Sequence, residues 1–291
     1  MTPRSRTIKL EPPGRPRRRG KLLIMGPMTI PELARSRLVA VYLPPGYDHD
    51  VSRRYPVMYM WDGQNLFDPM TSFCGDWQMD LAVDELVLKG EIAPFISVGI
   101  YNGNEYRLSE QSPWSDPYYR CTGEAEFFLE WVVGPLKAEI DRRYRTLTSA
   151  AYTGIGGSSM GGLTSLYALF RYPAAFSRAL VMSPSLWFAR GEIFDFIAST
   201  AAKPDNSRIY LDFGKREMRT GPGTRLLRDA RIMRELLISV GYRLDEDLKW
   251  VEDPSGIHSE ACWASRLPGA LRFLWPKEIV ASVNFSADLA S

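Results

Sequence analysis

Apolar and polar residues follow two rhythms along this chain. Residues 22–30 and 37–43 read as early strands, the second running into the turn Pro44-Pro45-Gly46. Residues 56–61 and 95–101 are short, almost wholly apolar runs, the pattern of strands covered on both faces. Residues 150–155, 176–182, 208–213 and 248–252 supply four more strands. Between them the spacing changes to the helical period, over 78–88, 123–144, 161–171 and about 191–200, 224–240 and 260–274. The 123–144 segment begins with acids and ends near Arg142, Arg143 and Arg145, which suits the helix dipole. About eight strands alternating with helices, and no linker, predict one three-layer α/β domain over 22–276. Its sheet is mainly parallel and it carries no large cap domain. Residues 1–21 read as a disordered, solvated tail and 277–291 as a C-terminal extension. Residues 102–122 break the rhythm as a long, aromatic-rich loop of the kind that often covers a site.

Charge sharpens that division. The 291 residues hold 36 Lys and Arg against 34 Asp and Glu, a net +2. Eight basic side chains and one acid fall within residues 1–21, a local +7, which leaves −5 on the remaining 270. A groove that neutralises nucleic-acid phosphates needs an excess of basic charge on the folded body, so no nucleic-acid partner is expected. No apolar run approaches the ~20 residues of a membrane-spanning helix, and the basic N-terminus lacks an apolar signal core. A cytoplasmic protein without a membrane partner is the expectation. Cys74, Cys121 and Cys262 are far apart, and neither CxxC nor HExxH occurs. With His49 and His258 as the only histidines, neither a disulfide framework, a metal nor a cofactor is expected.

The sharpest chemical signal is Gly157-Ser158-Ser159-Met160-Gly161, a G-x-S-x-G between a strand and a helix. A nucleophile on a strained strand-to-helix turn projects above its sheet, and glycine on either side leaves room for the crossing chain. Ser159 is therefore the candidate nucleophile, with Ser158 its neighbour. The Met160 N–H, at the start of the helix, is one candidate oxyanion donor. A serine needs a base. His49 lies in a polar loop before the nucleophile, whereas His258 follows the last strand, where α/β-hydrolases carry theirs. The acid should follow the preceding strand. Glu217 is the first carboxylate past it, with Asp212 inside the strand and the pair Glu252 and Asp253 as rivals.

Seven segments then carry a family resemblance: VYLPPGY at 41–47, DGQNLFD at 62–68, RLSEQSPW at 107–114, GGSSMGG at 156–162, SPSLW at 183–187, Gly214 to Glu217, and His258 through Trp263. Together they resemble the esterase-D-like branch of the α/β-hydrolases from about Ser36 to Pro276. That group includes enterochelin esterases, carbohydrate esterase family 1, S-formylglutathione hydrolases and mycolyltransferases. The resemblance implies a serine ester hydrolase acting on a small or aromatic acyl ester as its small-molecule partner. It also implies a second oxyanion donor in the DGQN loop, assigned to the Gln64 N–H with Gly63 and Asn65 as alternatives. Relatives often carry histidine where this chain has Trp61. Trp61, Trp77, Trp114 and Trp187 are candidates for an aromatic pocket, Trp187 foremost. Trp61, Trp187, Asn65 and Arg107 are the candidate substrate contacts, although an Arg107–Glu110 pair that braces the loop is favoured over substrate binding. An acyltransferase with the same acyl-enzyme and a non-catalytic ligand-binding protein are the alternatives. Exposed aromatic loops leave a homodimer open.

Overall fold

The computed structural model describes residues 5–7, 16, 18–72, 74–200, 202–217 and 223–279. Its strands are β1 (Ser5–Thr7), β2 (Lys21–Ile30), β3 (Arg35–Leu43), β4 (Val57–Met60), β5 (Ile96–Ile100), β6 (Thr153–Ser158), β7 (Arg178–Met182), β8 (Arg208–Gly214) and β9 (Leu248–Asp253). They form one sheet in the order β1-β2-β3-β5-β4-β6-β7-β8-β9. The six strands from β5 to β9 run parallel, and β1, β2 and β3 attach antiparallel at one edge. The eight expected strands are all present, and β1 is a ninth. The helices are α1 (Met79–Leu88), α2 (Arg107–Glu110), α3 (Ala125–Trp131), α4 (Lys137–Arg143), α5 (Met160–Arg171), α6 (Glu192–Ala198), α7 (Gly223–Ser239) and α8 (Glu260–Leu274).

Alternation along the strands divides the core in two. Val57 and Tyr59 of β4 join Ala179 and Val181 of β7 on one face, under Leu163 and Leu166 of α5 and Met233 of α7. Met58 and Met60 join Leu180 and Met182 on the other, under Val83 of α1 and Leu267 and Leu271 of α8. Every residue of β4, β5 and β7 is buried, as a sheet covered on both faces requires.

Four differences from the sequence reading have local causes. The strand expected at 150–155 begins only at Thr153, because a 3-10 turn occupies Ala150–Tyr152. The single helix expected over 123–144 is α3 and α4 joined by a π-helical stretch, Val132–Leu136, which contains Pro135. Proline has no N–H for the helical ladder, and a wider turn accommodates it. The long loop at 102–122 holds α2 and two 3-10 turns. The described part of the N-terminal segment is also no free tail. Arg18 is 8% exposed and donates to Asp80 of α1 at 2.9 Å and to the Phe67 carbonyl at 3.2 Å, while the Arg19 N–H reaches Asp84. The rest of that segment, and most of the C-terminal extension, lie outside the described residues.

Candidate functional site

The parallel strands end together on one edge of the sheet, and every candidate residue lies just beyond such an end. Ser159 follows β6 and is the N-cap of α5, with φ 56° and ψ −121°, a strained conformation for a non-glycine residue. Two bonds hold this elbow: the Ser159 N–H donates to the Met182 carbonyl, and the Ser159 carbonyl accepts from the Ser185 N–H, both at 3.0 Å. The flanking glycines sit where space is tight. A Cβ on Gly157 would lie 3.1 Å from the Gly161 backbone, and one on Gly161 would lie 2.9 Å from Cβ of Trp61. The obstacle at Gly161 is thus a tryptophan side chain rather than crossing backbone. The Ser159 hydroxyl shares a 3.2 Å hydrogen bond with that of Ser185.

Glu217 and His258 meet although 41 positions separate them, with Glu217 Oε2 2.8 Å from His258 Nδ1. The Glu217 side chain is 2% exposed, and its other oxygen accepts from the Gly214 N–H at 2.7 Å and from the Ser183 hydroxyl. Both oxygens are therefore fixed, and the imidazole is held through Nδ1. The ring edge of His258 rests against Trp263, with centroids 4.9 Å apart, and the Trp263 indole N–H donates to the Ser183 hydroxyl at 3.0 Å. Behind this lies a buried support. Arg266 donates to both oxygens of Asp212 at 2.7 and 3.2 Å, to Ser183 at 3.1 Å and to Asp253 at 3.1 Å. Burial pushes the Asp212 carboxyl up to about 6, against the charge and hydrogen bonds of Arg266. The three rival acids are all committed elsewhere: Asp212 and Asp253 to Arg266, and Glu252 to Arg231 and Lys215.

The DGQN loop after β4 is a 3-10 turn, Gly63–Asn65, capped by Asp62 in the left-handed region at φ 54°. The Asn65 N–H donates to the Asp62 carbonyl at 2.8 Å. That leaves the Gly63 and Gln64 N–H groups without a bond within the turn and removes Asn65 from the three alternatives. Gly63 cannot carry a side chain, because its Cβ would lie 2.3 Å from the Gly99 backbone. The Asp62 carboxylate anchors the loop, accepting from Arg107 Nε at 2.7 Å and Nη2 at 2.8 Å, and from Asn102 and Gln111. Burial alone would raise its pKa; Arg107 and the two amides hold it below the ordinary carboxylate value. The expected Arg107–Glu110 pair is absent among the described residues: Glu110 serves Arg35 and Arg37. Two similar cations one strand register apart on β3 win that carboxylate, while Arg107 is drawn to the buried Asp62.

Ser159, His258, Asn65 and Arg107 line one small cleft of about 230 Å³, together with Glu260 and Trp263. Trp61 also borders it but is 2% exposed, with its indole N–H on Ser165 and its ring against Phe128; it is chiefly a floor. Trp77 borders the same cleft, whereas Trp114 and Trp187 line a separate, larger groove of about 940 Å³, so the four tryptophans form two sites rather than one pocket. The two share no lining residue, and the link in the chain is Trp187, two residues beyond the Ser185 that bonds Ser159. In the groove Tyr119 packs, tilted, against both Trp187 and Phe188 at centroid distances of 5.5 and 5.6 Å. Sequence reasoning missed Glu260, Ser185 and Asp62. The first two lie inside or beside the segments that carry the resemblance, and Asp62 opens its DGQN motif.

A family model described as "Putative esterase" matches residues 30–274. YbbA, an uncharacterized protein of Bacillus subtilis (strain 168), is 26% identical over 251 residues, which span 84% of this chain and 94% of that protein. The iron(III) salmochelin esterase of Escherichia coli O6:H1 is 26% identical over 202 residues, 65% of this chain and 44% of that protein. The solved structure of the enterobactin esterase FES from Shigella flexneri, in the presence of enterobactin, superposes with a TM-score of 0.67 at 22% identity. That superposition covers 91% of this chain and 60% of the other, and the likeness is one of fold. The present chain thus spans less than half of the salmochelin esterase and about three-fifths of the enterobactin esterase.

Proposed function

The chain belongs to this esterase family and is an ester hydrolase, and from that premise we propose that it is a serine carboxylesterase working through an acyl-enzyme on Ser159. The observation that carries the reading is the 2.8 Å bond between Glu217 and His258 Nδ1, set in the cleft that also holds the strained Ser159. With Nδ1 donating to Glu217, Nε2 is the free ring nitrogen and acts as base toward the Ser159 hydroxyl. The alkoxide attacks the ester carbonyl, and the N–H groups of Met160 and Gln64 stabilise the oxyanion. His258 then protonates the departing alcohol, and water releases the acyl group by the same steps in reverse order. The acyl portion extends toward Trp187 and Tyr119, whose rings suit an aromatic acyl group.

Because an imidazolium cannot accept a proton, kcat/KM for p-nitrophenyl acetate falls steadily on acidification. A flat profile from about pH 5 to 8 would remove His258 as the base. Arg107 is assigned a positioning role, since its guanidinium is committed to Asp62 and holds the donor loop. Arg107→Met lowers kcat about tenfold or more with little change in KM, and Arg107→Lys recovers part of the loss. A rise in KM with kcat intact would instead make Arg107 a direct substrate contact.

A further inference from the structure

One wall of the cleft carries a charge for which ester hydrolysis itself has no use. Glu260 opens α8 two residues after His258 and lines the same cleft as Ser159. Its carboxylate accepts, at a long 3.3 Å, from Asn65 Nδ2. Arg107, the cation that borders the cleft, is bidentate on Asp62, so those two charges cancel. His258 is neutral when it acts as a base, and Glu217 lies behind it. Apart from the dipole of the α8 N-terminus, which favours a carboxylate there, Glu260 has no ion pair among the described residues. Burial favours the neutral form of Glu260 and raises its pKa, an effect that a bound cation would reverse. Trp77 and Trp263, with ring centroids 5.8 Å apart and only 3% and 4% exposed, form an apolar floor beside it. A carboxylate set over an apolar floor attracts an ammonium group through its charge.

The position in the reaction follows from His258. Its Nε2 delivers a proton to the departing oxygen, so the side chains flanking His258 flank the leaving alcohol. The acyl half is directed the other way, past Ser185 toward Trp187. We propose that Glu260, over the apolar floor of Trp77 and Trp263, forms a subsite for a positively charged leaving alcohol, that is, for esters of small amino alcohols. This rests on the serine esterase reading above. The cleft, at about 230 Å³, suits a short alcohol rather than a large one.

Acetylcholine and 3,3-dimethylbutyl acetate, which have the same shape and differ by one charge, test the subsite at pH 8 and low ionic strength, with p-nitrophenyl acetate as a third substrate. The expected ratio of kcat/KM, charged over neutral, is about tenfold or more, falling to about one in Glu260→Gln and staying high in Glu260→Asp. Being a ratio, it does not depend on the fraction of folded enzyme. If Glu260→Gln yields no active protein, the wild-type ratio must still shrink as NaCl is raised to about 0.5 M. A wild-type ratio of one or less, a ratio unchanged in Glu260→Gln or by salt, or turnover of p-nitrophenyl acetate alone overturns the subsite. Failure to hydrolyse any of the three esters overturns the esterase reading itself.

Discussion

Ser159→Ala lowers kcat for p-nitrophenyl acetate by about 10³- to 10⁶-fold, the range expected when the nucleophile is removed and only the oxyanion donors and binding remain. The loss is chemical rather than structural. The Ser159 side chain has one hydrogen-bond partner among the described residues, the Ser185 hydroxyl at 3.2 Å. Alanine meets the same backbone strain as serine at φ 56°. The bonds that hold the elbow are backbone bonds to Met182 and Ser185 and survive the substitution. Unfolding free energy therefore changes by no more than about 1 kcal/mol. Ser158→Ala is the control, because Ser158 belongs to β6 and is 7% exposed. Activity within about tenfold of wild type is expected there, and a collapse in Ser158→Ala matched by survival in Ser159→Ala would exchange the two assignments.

Glu217→Gln costs about 10³- to 10⁴-fold in kcat, the second largest effect expected. The charge that stabilises the imidazolium is removed, and the amide can present an N–H to Nδ1 and reverse the tautomer. The rivals separate cleanly. Glu252→Gln breaks an ion pair with Arg231 and Lys215 on the far side of β9 and leaves kcat within about threefold. Asp253→Asn weakens one bond of Arg266 and has a modest effect, because Asp212 still holds that guanidinium through two. If Glu252→Gln or Asp253→Asn matched the loss expected of Glu217→Gln, the acid would be misassigned.

The elbow was legible in the sequence because its constraints are local. A strand, two tightly packed glycines, a serine and a helix lie within a dozen residues. The meeting of Glu217 with His258 was legible for a similar reason: the loop after a parallel strand brings the first available carboxylate to the same edge as Ser159. The bracing of the DGQN loop was not, because Asp62 and Arg107 are 45 positions apart and Glu110 offered a nearer partner. Spacing favours near partners, whereas burial of Asp62 selects the guanidinium that can reach it with two bonds.

The N-terminal segment hid its role for another reason. Basic residues among prolines read as solvated chain, yet α1 carries Asp80 and Asp84 on its buried face. Two inward carboxylates on an otherwise amphipathic helix require donors from outside the helix. Arg18 and the Arg19 N–H supply them, together with the Tyr42 hydroxyl. Arg18 also holds the Phe67 carbonyl, close to the DGQN turn, so the segment touches the frame of the site. The π-helical stretch was foreshadowed by Gly134-Pro135 within the helical pattern. The four tryptophans, which composition alone could not place, divide between the small cleft that holds Ser159 and His258 and the larger aromatic groove.

The claim on which the rest depends is that the acyl group is carried by Ser159. Treating the protein with a fluorophosphonate and mapping the adduct by peptide mass spectrometry tests it directly. One adduct per chain on the Ser159 hydroxyl, absent in Ser159→Ala, is the predicted result. An adduct on Ser158 or Ser185, or an unlabelled protein that still hydrolyses p-nitrophenyl acetate, would contradict it.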